Sequence, residues 1–195
     1  MHAPGRSPLP ERGGVDEIRA REKRVGNRVI GLRERTFELA HAFLTDVRRD
    51  LEAAIAQRFD LPPRIRTMHT RAGHATPEYR TFAIPQPEGM RVSTDLLSRA
   101  IAQYASTKPT CGIVLAFDAI HEGEDGEPRP VLIAEARDRW GTRLFFMQPF
   151  HAVGGRLAWG EPAGGGWRDP GTEEMILDAA FEAANEVLAI AHTPE

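Results

Sequence analysis

The chain is poor in the residues that usually announce chemistry. It has a single cysteine, Cys111, which excludes an intramolecular disulfide and any paired-cysteine metal or redox motif. Cys111 heads an apolar stretch and reads as a buried, inert thiol. Of 25 basic residues only Lys23 and Lys108 are lysine, a bias that reads as the codon usage of a GC-rich bacterial genome. A dominant charge is also missing. The formal net charge of −3 argues against the uniform positive field that nonspecific nucleic-acid binding needs.

Long hydrophobic runs are absent. No stretch approaches the roughly 20 apolar residues that cross a bilayer. The opening residues, MHAPGRSPLPERGG, lack the apolar core of a secretory signal. They read as a disordered lead-in over residues 1–14. The expected compartment is the cytoplasm, without membrane contact. GxSxG and GxxxxGK[ST] motifs are missing, as are HExxH, HxH and HxxxH spacings. Nothing in the sequence implies a cofactor.

What is present suits an ordinary folded domain. The composition is 41% hydrophobic and 27% charged, and 195 residues suffice to bury a core. Residues 15–60 read as one long helix. Val25, Val29, Leu32, Thr36, Leu39, Phe43, Val47, Leu51 and Ile55 form a stripe at steps of three and four. Unbroken, it would span about 65 Å at 1.5 Å per residue, more than a domain of this size can cover. Its first half is therefore a candidate dimerisation arm.

Pro62 and Pro63 end the helix, and residues 61–195 read as an α+β domain. Two strands, Arg64–Thr70 and Tyr79–Ile84, precede a helix capped by Ser93 or Thr94 and stopped by Pro109. Three strands follow, Ile113–His121, Val131–Arg139 and Arg143–Phe150, with a short fourth near Arg156–Trp159. A closing helix starts from Thr172 as N-cap. The order α-β-β-α-β-β-β-β-α has loops too short for crossovers among its last four strands. It predicts an antiparallel meander with two shorter helices on one face and the long helix besides.

Three charged residues sit inside these buried-looking strands: Asp118, Glu135 and Arg137. If Trp140-Gly141 is a two-residue hairpin loop, Ala136 faces Phe145; if His121 pairs with Pro130, Asp118 faces Ile133. Asp118, Glu135 and Arg137 then share one face as diagonal neighbours, and are expected to neutralise one another there. That face is otherwise so apolar that the long helix or a second subunit must cover it.

An Asp on one strand and Glu135-Ala136-Arg137 on the next also resembles the carboxylate core of the PD-(D/E)xK nucleases. In that family the carboxylates hold Mg²⁺ and a lysine assists the attacking water. The resemblance implies a metal-dependent nuclease or hydrolase using Asp118 and Glu135. Arg137 stands where the family has lysine, and arginine does not release a proton. The family's proline before the Asp is also replaced, in AFDAI.

Four histidines are further candidates for a metal, which needs three or four converging donors. His69 and His74 bracket a loop, and His121 and His151 end strands. Trp167, in GGGWRDPG, reads as a packing anchor for its loop. The segment RAREKRVGNRVIGLRER is arginine-dense but interleaved with Glu17, Glu22 and Glu34. It suits the solvated flank of a coiled coil better than a nucleic-acid-contacting region, which remains the alternative. Surplus apolar surface without a catalytic pattern points to a non-enzymatic interaction or regulatory module, homodimeric through the long helix and the second sheet face.

Overall fold

The computed structural model describes residues 13–70, 76–85, 93–107, 110–123 and 125–182. Residues 1–12 of the lead-in and His74 fall outside them. Helix α1 runs Gly13–Gln57 without a break. Strands β1 (Arg64–His69) and β2 (Glu78–Ala83) form a hairpin, α2 spans Thr94–Thr107, and β3 (Thr110–Glu122), β4 (Pro128–Asp138), β5 (Arg143–Val153) and β6 (Arg156–Trp159) complete the set. A third helix, α3, is described over residues 176–182. The six strands form one sheet in the order β2-β1-β3-β4-β5-β6, antiparallel at every pairing. The chain is α+β, as its element order predicts.

The stripe on α1 dictates how it docks. Thr36, Leu39, Phe43, Val47 and Leu51 are all buried, with Ala40 and Leu44 between them. They pack on Met68, Val114, Ala116, Leu132, Ala134 and Phe146. The helix closes with Arg58 at φ 59°. Phe59 N–H bonds the Ala54 carbonyl (2.9 Å) and Arg58 N–H that of Ile55 (3.2 Å), the two-bond Schellman closure. On the opposite face α2 and α3 cover Ile65, Ile113 and Leu115 with Leu97, Ile101, Leu177 and Phe181. Ser93 caps α2, its hydroxyl accepting the Leu96 N–H at 3.3 Å. The centre of each sheet face is thus covered by the chain's own helices.

The meander departs from the expected register in one strand. Asp118 pairs with Leu132 and Glu135 with Leu115, while Ala136 pairs with Leu144 and Arg137 with Arg143. Each ladder is shifted by one residue from expectation. The shifts cancel between β3 and β5, so β4 alone is inverted. The cause at the second hairpin is its turn. Asp138 N–H bonds the Thr142 carbonyl (3.2 Å), enclosing three loop residues with Gly141 at φ +87°. That is the three-residue loop with a left-handed glycine rather than the two-residue form.

Gly31 permits a local prediction. A methyl group added there meets nothing within 4 Å, and a helical glycine costs roughly 1 kcal/mol against alanine. Gly31→Ala should therefore raise the unfolding free energy by about 0.5–1 kcal/mol in a urea melt. A destabilised variant would show that α1 is not helical at this point.

Candidate functional site

The buried charges are best understood from α3, which begins at residue 176 rather than just after Thr172. A helix start leaves orphan N–H groups, and Met175, which precedes this one, has no side-chain acceptor to offer them. The sheet supplies it. Glu135 is 4% exposed, and its carboxylate accepts the Leu177 N–H at 3.0 Å. Asp178 reaches back to the Met175 N–H at 3.0 Å, the returning half of a capping box. Asp178 is also clamped by Arg143, Nε to Oδ1 at 3.0 Å and Nη2 to Oδ2 at 2.6 Å, and takes a hydrogen bond from Arg137. Arg143 extends the clamp to the carbonyls of Gly171 and Glu173.

Inversion of β4 therefore separates the expected trio. Asp118 lies with Leu132 on the α1 face of the sheet, at an exposed position, whereas Glu135 and Arg137 project from the other face. Asp118 and Glu135 cannot share an ion across the thickness of the sheet, so the geometry of the nuclease resemblance is not met. Arg137 neutralises Asp178, a residue the sequence pattern did not single out, and not Asp118. Its only signal was an acid three positions into a helix with an unsuitable cap.

Burial pushes the Glu135 carboxyl above the usual range, against the N–H groups of Leu177 and Ile176, and nearby Asp178 adds to the rise. The folded state then takes up a proton more readily than the unfolded chain. Stability gained from this group rises as pH falls from neutral toward 4.5 and is lost again as pH climbs through the raised value. Glu135→Gln should remove that rise in urea melts across the window, because an amide does not titrate. Its carbonyl still accepts the Leu177 N–H, so the variant should match or exceed wild type at neutral pH. A variant much weaker than wild type at neutral pH would mean that the negative charge itself holds α3.

Among the described residues the candidate histidines do not converge. His69 is buried, 2.7 Å from the Thr67 hydroxyl and edge-on to Tyr104. His121 and His151 are exposed on β3 and β5, with β4 between them, two strand spacings or about 10 Å apart. Among the described residues no three His, Cys, Asp or Glu side chains gather closely enough for a metal. Cys111 is buried and donates to the Met68 carbonyl at 3.1 Å; burial pushes its thiol up, away from reactivity.

A second buried carboxylate was missed as well. Asp138 is 2% exposed. It accepts the N–H groups of Trp140 and Thr142, each at 2.9 Å, and the Thr36 hydroxyl of α1 at 2.9 Å. It both builds the β4–β5 turn and fastens α1 to it, beside Arg33, which donates to the Trp140 carbonyl.

One concave surface combines aromatic and cationic groups. It lies between α1 and the loop preceding Arg168 and is lined by Phe37, His41, Arg48, Phe146 and Trp167. Trp167 packs on Phe146 at 5.4 Å between ring centres, and its loop is held to β5 by a reciprocal backbone pair between Phe145 and Arg168. Among the described residues no helix is long and apolar enough to cross a membrane. No protein-family model matches the chain, nor does any curated protein or solved structure.

Proposed function

We propose that the chain is a non-enzymatic protein-interaction module that assembles as a homodimer through the first part of α1. The observation that carries this reading is the continuity of α1. The stripe buried on the sheet from Thr36 to Leu51 continues in sequence, at the same spacing, through Leu32, Val29 and Val25 of the same uninterrupted helix. Those positions precede Arg33, where α1 passes the β4–β5 turn. Residues 13–32 correspond to about 30 Å of helix. An amphipathic helix of that length is marginal in water unless its apolar side is covered. A second copy offers a matching stripe, and the mixture of arginine and glutamate on the flanks suits helix–helix pairing over binding a polyanion.

The test is sedimentation velocity on the full chain. Wild type should run as a dimer and Val29→Glu as a monomer, with the cooperative melt of the sheet domain retained. A wild type that stays monomeric at tens of micromolar, where specific interfaces are populated, would overturn the proposal. An arm serving nucleic acid would instead bind DNA or RNA with an affinity falling steeply as salt rises.

A further inference from the structure

The cleft between α1 and the Pro162–Trp167 loop has a volume of about 380 Å³, within the roughly 300–1,000 Å³ of small-molecule sites. Its walls are unusually aromatic for a surface cleft. Phe37 packs tilted against His41 with 4.5 Å between ring centres, His41 meets Trp167 edge-on at 6.2 Å, and Phe146 packs tilted against Trp167. Phe37 is 46% exposed, so a large ring stands open on one wall.

The charge of the lining is one-sided. Arg48 lines it and, among the described residues, no carboxylate does. The Arg48 guanidinium rests between the rings of Phe146 and Trp159, 5.4 and 5.3 Å from their centres. Its only hydrogen-bond acceptor among the described residues is the neutral amide of Gln148, which is itself anchored to the Gly160 carbonyl at 2.7 Å. The neighbouring acid, Glu52, is engaged by the Trp159 indole N–H at 2.9 Å. Burial disfavours the Arg48 charge, with Glu52 opposing. Arg48 Nε and Trp167 Nε1, on two of the lining side chains, are buried donors without an acceptor among the described residues. Among the described residues the guanidinium makes no direct hydrogen bond to a carboxylate, and Glu52 acts on it only at longer range.

We infer that this cleft is a binding site for a small planar aromatic anion, whose ring lies among Phe37, His41 and Trp167 and whose negative group meets Arg48. Stacking supplies affinity for any flat ring; the guanidinium selects the charged one. The site is independent of dimerisation through the arm.

The experiment is a ¹H–¹⁵N titration of the full chain with three probes: 2-naphthoate, its neutral analogue 2-naphthamide, and acetate. Saturable shifts at His41 and the Trp167 indole are expected with 2-naphthoate. The amide and acetate should each bind about tenfold more weakly or worse, the loss of one charged hydrogen bond or of the stacked ring. Arg48→Met keeps a side chain against Phe146 and Trp159 but removes the charge, and should bring naphthoate down to the level of naphthamide. If Arg48→Met does not fold, Phe37→Ala, on the open wall, must weaken both aromatic probes. Equal affinity of wild type for naphthoate and naphthamide, or no saturable shift at millimolar probe, overturns the inference without any variant.

Discussion

Asp178→Ala is expected to lower the unfolding free energy by about 3 kcal/mol, because removing one member of a buried ion pair strands the others. For a chain of this size that is a fall in melting temperature of roughly 6–12 °C. The side chains of Asp178, Arg137 and Arg143 are 13%, 17% and 23% exposed, so the two guanidiniums left behind could recruit little water. The variant also loses the acceptor for the Met175 N–H. Replacing Arg143 as well, in Asp178→Ala/Arg143→Met, should recover part of the loss, since it removes one stranded charge. Burial opposes the Asp178 charge, but the Arg143 hydrogen bond, the Met175 N–H and Arg137 outweigh it and hold the carboxyl below 3.8. The contribution is present above 3.8 and disappears as pH falls through the lowered value. Wild type should therefore lose stability on the acid side that the alanine variant has already lost. A variant within about 0.5 kcal/mol of wild type, the range of ordinary surface changes, would refute the clamp.

Phe43→Ala is expected to cost about 3–5 kcal/mol, the range for emptying a phenylalanine site in a closed core. Phe43 is 1% exposed, sits mid-stripe on α1, and carries Arg66 over its ring at 5.0 Å. Arg66 is fixed in turn to Asp46 one turn along the helix, at 2.8 Å. The cavity thus opens at the centre of the α1–sheet contact and loosens an ion pair at its margin. Hydrogen exchange should speed up most in α1 from Thr36 to Leu51. Leu96→Ala serves as the contrast, since Leu96 is 60% exposed on α2 and should change stability by less than about 0.5 kcal/mol. A loss below about 1 kcal/mol at Phe43 would mean that α1 does not dock on this face.

The inverted strand shows where legibility ended. Along β4 the residues facing α1 are Leu132, Ala134 and Ala136, and those facing α2 and α3 include Val131 and Ile133. A strand covered on both sides carries no alternation from which to choose its facing. The decision then fell to the turn, and the turn was legible. Asp138 and Gly141 are the first and fourth residues of a four-residue turn, where aspartate caps N–H groups and glycine takes the left-handed conformation. Reading Trp140-Gly141 as the whole loop missed Asp138, and one residue of error reversed every side chain of β4. The buried Cys111, the Ser93 cap and the α1 stripe from Thr36 to Leu51 agree with the sequence pattern, because each was signalled by near neighbours in sequence.

Local periodicity and turn chemistry alone determined the kinds of element, their order, the antiparallel pairing of the last four strands and the buried side of α1. These follow from interactions a few residues apart, which the chain carries wherever it goes. Only tertiary structure decided what Glu135, Arg137 and Asp178 are for, and that Phe37, Arg48 and Trp167 meet around a cleft. Helix α3 starts from Met175 without an N-cap acceptor, and the Leu177 N–H is accepted by Glu135, 42 positions away along the chain. A partner at such a distance is chosen by which faces pack together, and no spacing rule reports it.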